Sequence, residues 1–428
     1  MNRSWIYGIM VMVGFPAQVM LAQPGAALRW SPAHIHSLAE QPAYLETHPT
    51  VWGLGGGVTY SLASNVLTVE QMLLRDTFLD QSLKDQLVSQ LGPRNEVRLA
   101  LNQDWIGSFR VRDLPISLGY QAHTLGYVRL NNPQTLGLVL YGNAPYAGQP
   151  VEDKGIQGIS MQYQAYSLGT ARRIMGWDLG LRVKLLTGRN LLQVKELSYS
   201  FLTAADGSRV ALQTAFERHQ TRGAGVQGIG IGADLGIVRE WKGLTVQAAL
   251  LDIGAINWDA TYWDKNASFE WNGIEISDLL STDLSNGFDA LLGDTLRTVL
   301  LGDSSVGAYR IPLPARVQAG AAYQTGPHRV FGSLTGSWVS YAAGGPVQGN
   351  LGYSYRLWDR LDLGAHVYAG GLDPVGAGVF AEGGVNFFML HLRGFVSAAQ
   401  AVGWVAPATG RGLSIQGGIS LQQIVTAY

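Results

Sequence analysis

The sequence contains no cysteine, which removes disulfides, thiolate metal sites and a lipid-modified cysteine from consideration. Charge is scarce as well. Only 14% of the 428 residues are Asp, Glu, Lys or Arg, against roughly 25% in soluble domains. The formal net charge is −1, and without a basic field nucleic acid is excluded as a partner. Beyond the N-terminus there is no apolar run of about 18 residues, so that part of the chain has no transmembrane helix and any membrane span must be made of strands. HExxH, Gly-x-Ser-x-Gly and phosphate-loop motifs are missing too. His34 and His36 read as a solvated polar pair, the other histidines are scattered, and the reading is non-enzymatic with no cofactor and no metal.

What is present is glycine, at 55 residues, close to twice the usual share of about 7%. Glycine suits strands that bend around a closed sheet. The clearest strand signal is the hairpin Leu192–Arg218, turning at Asp206-Gly207, where a tight turn needs positive φ. One row reads Leu197, Tyr199, Phe201 with Val210, Leu212, Thr214, Phe216; the other reads Glu196, Ser198, Ser200 with Ala211, Gln213, Ala215, Glu217. Pairing across the turn places both apolar rows on one face, and arms of about ten residues are long enough to cross a membrane when tilted.

Similar alternation recurs from Val51 onward and predicts a transmembrane antiparallel β-barrel of about fourteen to sixteen strands. The count reads 174–187 and 190–203 as separate strands. It sorts the links into short ones on the periplasmic side, Asp206-Gly207 among them, and long ones outside. Short helices are predicted in the long links, near 69–91 and 276–301. Residues 1–22, with Arg3, an apolar core and Met20-Leu21-Ala22, read as a signal peptide. Residues 23–50 form a proline-bearing N-terminal segment and 51–428 the barrel. Trp177, Tyr199, Trp241, Trp263, Trp338, Tyr355, Trp358 and Tyr368 fall near strand ends, as interfacial girdles do.

Gln41-Pro42-Ala43, shortly before the glycine-rich start Gly53-Leu54-Gly55-Gly56-Gly57, resembles the Asn-Pro-Ala signature of barrels related to the fatty-acid transporter FadL, including PorV-like outer-membrane proteins of Bacteroidota. Gln41 stands where that pattern has Asn. Leu251–Trp258, Leu313-Pro314 and Gly370-Gly371 also look like this group. The resemblance implies a barrel of about fourteen strands with the N-terminal segment tucked inside. It further implies passage of small hydrophobic molecules across the outer membrane of a Gram-negative bacterium. The alternative is a structural or docking role beside a secretion or surface-assembly machine.

The polar rows supply the site candidates. Arg182 and Lys184 alternate with Leu181, Val183 and Leu185, and with Glu196 and Glu217 they are expected to line the lumen. There they either tune what passes or fill the space as salt-bridged pairs. Leu279, Leu280, Leu284, Phe288, Leu291 and Leu292 recur at helical spacing and are the expected plug of the outer mouth. Lys195 and Arg218 are expected at the outer rim, where the partners are outer-membrane lipid and lipopolysaccharide phosphates; a secretion or surface protein is the other expected partner.

Overall fold

The computed structural model describes residues 35–48, 50–73, 80–271, 304–337, 347–358, 360–372 and 375–424. The predicted signal peptide and the plug candidates Leu279, Leu280, Leu284, Phe288, Leu291 and Leu292 lie outside these residues. No helix among the described residues is long and apolar enough to cross a membrane. The chain instead forms one antiparallel sheet closed on itself.

The strands are β1 (Thr50–Ser64), β2 (Asn95–Val111), β3 (Leu114–Leu130), β4 (Pro150–Ile174), β5 (Trp177–Thr203), β6 (Val210–Thr221), β7 (Gly228–Trp241) and β8 (Leu244–Trp271). They continue as β9 (Ser305–Pro312), β10 (Arg316–Thr325), β11 (His328–Ser337), β12 (Val347–Leu357), β13 (Leu361–Gly370), β14 (Val375–Phe387), β15 (Leu390–Gln400) and β16 (Gly412–Ile424). Closure is made by β1 against β16, from Thr50↔Ile424 to Ala63↔Gly412.

Two pairs of strands share a place in the ring. β5 is 27 residues long; its first half pairs with β7 and its second half with β6. β8, of 28 residues, pairs with β10 along its first half and with β9 further up. Sixteen segments therefore occupy fourteen positions in the barrel wall. The expected separate strands at 174–187 and 190–203 are one strand. Their division in the sequence marks a bulge at Gly188-Arg189-Asn190, where Tyr163 pairs with Gly188 but Gln162 with Asn190.

This merger corrects the placement of the hairpin. Links of two or three residues join β2 to β3, β4 to β5, β7 to β8, β10 to β11, β12 to β13 and β14 to β15, all at one end. The Asp206-Gly207 turn lies at the opposite end, with the long links, where Gly207 takes φ 73°. Counting one strand too many before it had inverted its side. The hairpin is the tip of a tall wall formed by β4, β5, β6, β8 and β9, well beyond the roughly ten residues that a membrane requires of a tilted strand. Around 69–91 the described helices are α3 (Val69–Leu73) and α4 (Gln81–Ser89), the second capped by the Asp80 carboxylate accepting from Leu83 N.

Below that wall the alternation is plain. On β5 Leu179, Leu181, Val183 and Leu185 are exposed, while Gly180, Arg182, Lys184 and Leu186 are buried. The exposed row continues sideways as Leu168, Ile231, Leu351, Val367 and Ile419 on other strands, which is the lipid-facing belt. Val183→Arg puts a charge in the middle of this belt and is expected to cost about 2–4 kcal/mol and most of the assembly yield. Ser200→Arg on the hairpin tip is expected to assemble normally. Equal yields in a heat-modifiability assay would show that the belt is misassigned.

Candidate functional site

Residues 35–48 lie inside the barrel. They touch the wall from β15 and β16 through β1 and on to β8 and β10. Ile35 and His36 approach Gly55 on β1, and His36 also approaches Gly418 on β16. Gln318 on β10 donates to Glu40 O, and Arg110 on β2 donates to Glu46 O at 2.5 Å. Two one-turn helices, α1 (Ser37–Glu40) and α2 (Tyr44–Thr47), flank Gln41-Pro42-Ala43. Ile35, Leu38, Ala43, Tyr44 and Leu45 pack against Ile106, Ala171 and Val238 of the wall.

Gln41-Pro42-Ala43 is seated on two glycines of neighbouring strands. A Cβ on Gly180 would stand 2.3 Å from Ala43 N and Pro42 C, and one on Gly236 would stand 1.9 Å from Gln41 Oε1. No side chain fits at either place. The Gln41 amide Nε2 donates to Ala248 O at 3.1 Å, Gln247 Oε1 at 3.3 Å and Ile237 O at 3.4 Å. Gln41, though not Asn, therefore fills a polar socket in the wall. His36, expected as solvated, is buried; its Nδ1 meets Asp104 Oδ2 at 2.7 Å and its Nε2 meets Ile419 O at 3.2 Å. The N-terminal segment folds inside the lumen and takes the histidine with it.

Immediately above this segment lies a buried ionic layer. Asp234 accepts Arg182 at 2.5 Å and Lys184 at 2.8 Å. Asp252 accepts Lys184 at 2.6 Å and Arg316 at 3.1 Å, and Arg316 stands 3.7 Å from Glu40. Three cations face three carboxylates. Such a layer repays its desolvation only when every member is paired, as here. Arg182 also donates to Leu38 O at 2.9 Å and Ala39 O at 2.7 Å, which ties the inner segment to β5.

A β-bulge aims Asp252 into the layer. Ala233 pairs with Ile253 and Leu235 with Leu250, so Leu251 and Asp252 oppose the single residue Asp234. Both Leu251 and Asp252 are buried in consequence. Asp252 sits at φ 59°, and its N–H donates to Asp234 Oδ1 at 2.7 Å. The left-handed conformation costs roughly 1–2 kcal/mol and is held by this pairing.

Higher on the same strands the buried rows turn apolar. Met161, Tyr163, Leu186, Ile256, Trp258 and Ile311 belong to one cluster drawn from β4, β5, β8 and β9, joined by Leu125 and Tyr127 of β3. At the opposite end, below the inner segment, a cavity of about 620 Å³ is lined by Glu240, Arg329, Arg356, Asp362 and Arg393. The lumen thus runs from an apolar upper wall, through the ionic layer and the inner segment, to a charged lower mouth.

Arg182 and Lys184 stand at the centre of this arrangement. Glu196 and Glu217 do not join it. They oppose each other on β5 and β6 higher up the wall, where Glu217 pairs with Lys195 at 2.9 Å. The partners that sequence reasoning missed are Glu40, Asp234, Asp252 and Arg316. Asp234 had a signal, since it interrupts the glycine row Gly228, Gly230, Gly232, Gly236, where a carboxylate has no place unless a cation waits opposite. Among the described residues no group of three His, Asp or Glu side chains is placed to hold a metal.

Residues 42–390 match the profile of DUF5723, described as a family of unknown function. The chain belongs to this family. No curated protein matches it. The DUF5723 barrel is similar in fold to three solved structures. The Pseudomonas putida toluene transporter TodX is 11% identical, with a TM-score of 0.47, covering 95% of this chain and 100% of its own. A Pseudomonas aeruginosa FadL homologue is 13% identical, with a TM-score of 0.47 and coverage of 94% and 98%. The Ralstonia pickettii toluene transporter TbuX is 11% identical, with a TM-score of 0.47 and coverage of 91% and 94%. Fourteen wall positions enclosing an N-terminal segment are what the resemblance to the FadL group implied, and the DUF5723 barrel has both.

Proposed function

We propose that this protein is a gated conduit for small hydrophobic molecules in the outer membrane of a Gram-negative bacterium, working by passage and not by chemistry. The carrying observation is the polarity of the lumen. A porin interior is polar throughout, whereas here Met161, Tyr163, Leu186, Ile256 and Trp258 form an apolar wall on the long-loop side of the inner segment. Such a wall favours an apolar guest by about 25 cal/mol per Å² removed from water. The ionic layer and the inner segment beneath it are the gate that the guest must pass.

The test is entry of the hydrophobic dye N-phenylnaphthylamine into proteoliposomes, beside swelling in arabinose. Faster dye entry than in empty vesicles, with no sugar swelling, is the expected result. Met161→Gln is expected to slow dye entry by up to about ten-fold, since it replaces apolar lining worth about 1–2 kcal/mol. Sugar entry as fast as dye entry would reduce the protein to a general pore. A second reading, docking to a surface or secretion protein, draws on the tall wall, where Glu152, Ser200, Gln213 and Ser268 align in one polar row across four strands. Dye entry no faster than in empty vesicles would favour it.

A further inference from the structure

On the outward face of the tall wall, aliphatic side chains give way to arginine. The lipid-facing aliphatics there are Leu185 on β5, Ile229 and Ile231 on β7 and Ile253 on β8, with Val306 of β9 exposed above them. Asn257 pairs with Ile229 on one side and with Arg310 on the other, so Arg310 stands at the upper edge of the belt. Arg222 follows the end of β6 in the same wall position, and Arg218 lies four residues further up, opposite Trp263 of β8. Four residues advance the strand by about 13 Å, or roughly 10 Å in height once it is tilted.

Two of these arginines share one aromatic ring. The Arg218 and Arg222 guanidinium carbons stand 5.1 Å and 5.8 Å from the Trp263 ring centroid. Both are held by cation–π attraction with their remaining donors turned elsewhere. Arg218 donates to Gln220 while its Nε is buried without a partner, and Arg222 donates to Ser304 Oγ at 3.2 Å. None of Arg218, Arg222 and Arg310 forms an ion pair among the described residues, and none has a further partner beyond those named. Lys195 nearby is committed to Glu217, and Asp259, the carboxylate exposed on this face, reaches none of the three. Three unneutralised guanidinium groups on one wall repel one another unless an anion sits among them.

We propose that Arg218, Arg222 and Arg310, with Trp263 as their platform, bind the phosphorylated headgroup of an outer-leaflet glycolipid of the lipid A type. Guanidinium groups match phosphate oxygens in paired, charge-assisted hydrogen bonds, which a lysine cannot reproduce. The height is right for that headgroup. A lipid whose phosphates meet the arginines lays its acyl chains along Leu185, Ile229, Ile231 and Ile253, directly below. The site needs the outer-membrane placement proposed above but not the transport reading, and it is tested on purified protein, apart from either.

The experiment is native mass spectrometry of the full chain in mild detergent, titrated with bisphosphorylated lipid A, with the same lipid after removal of its phosphates, and with inorganic phosphate. The expected result is retention of one bisphosphorylated lipid, weakened about ten-fold or more in R218Q/R222Q/R310Q. Dephosphorylated lipid is expected to leave in the gas phase. R209Q, which removes an exposed cation paired with Glu270 at the hairpin tip, is expected to bind like the wild type. Equal retention by the triple variant, or of the dephosphorylated lipid, overturns the site. Displacement of the lipid by millimolar inorganic phosphate would make it a free-anion site and also overturns the lipid assignment. If the triple variant does not assemble, R222Q decides; its side chain lies on the surface, an about three-fold loss is expected, and no loss overturns the proposal.

Discussion

Replacing Gly180 by valine is expected to turn a closed barrel into a conducting one. The Cβ of any residue there falls 2.3 Å from the backbone of Pro42 and Ala43, and no rotamer relieves a collision with backbone. Overpacking costs about 1–3 kcal/mol even in a core free to adjust. That energy is charged to the seated state of the inner segment alone, because the unseated barrel has room for the side chain. Each 1.4 kcal/mol is a factor of about ten in population, so the open fraction in planar bilayers should rise by about ten-fold or more. Gly107→Ala is the control: its Cβ meets nothing nearer than 3.8 Å, on Gly53 O, and its conductance should match the wild type. If Gly180→Val assembles and stays as silent as the control, the inner segment is not the gate.

The second large effect is expected from Asp234→Asn. The carboxylate is wholly buried and holds Arg182 and Lys184 while accepting the Asp252 N–H. Neutralising it leaves three buried cations against two carboxylates, and breaking a buried pair in this way costs about 3–5 kcal/mol. The unfolding midpoint in urea, measured on refolded protein in detergent, should fall accordingly. Lys184→Gln added to Asp234→Asn restores the balance of charge and is expected to recover about half of the loss. Asp264→Asn, on the exposed upper part of β8, should change stability by no more than about 0.5 kcal/mol. An unchanged midpoint for Asp234→Asn would mean that the ionic layer contributes nothing to holding the barrel.

How much of this was legible in the sequence follows from which signals are local. The lipid belt was readable because Leu179, Leu181, Val183 and Leu185 alternate with buried residues over a single stretch. The bulge at Gly188-Arg189-Asn190 broke that alternation and made one strand look like two. The error then carried the Asp206-Gly207 turn to the wrong end of the barrel. β9 went unseen inside the long link predicted to carry the 276–301 helix, because Ser305–Pro312 pairs only with the upper part of β8, itself a continuation that alternation did not reveal. Arg182 and Lys184 could be assigned to the lumen face from their neighbours. Asp234 apart, their partners could not, because Glu40, Asp252 and Arg316 come from three separate elements and meet only after closure. Asp252 in particular depends on a bulge, which changes the face of a residue without changing its type. The inner segment was visible only through Gln41-Pro42-Ala43, since a buried segment of two helical turns has too little period to read.

The seam between β1 and β16 joins residues 374 positions apart at Thr50↔Ile424, a separation obtained as 424 − 50. Everything the inner segment rests on is scattered over that same interval: Asp104, Gly180, Gly236, Gln318 and Ile419. The earliest of these residues to be synthesised are therefore the last to find their seat. While the wall is being laid down strand by strand, Ile35, Leu38, Tyr44 and Leu45 have no completed surface to cover them, and a topology of such long-range contacts is slow to form. The assembling chain carries an adhesive leading end for most of its journey into the membrane, and closing the ring is also the event that hides it.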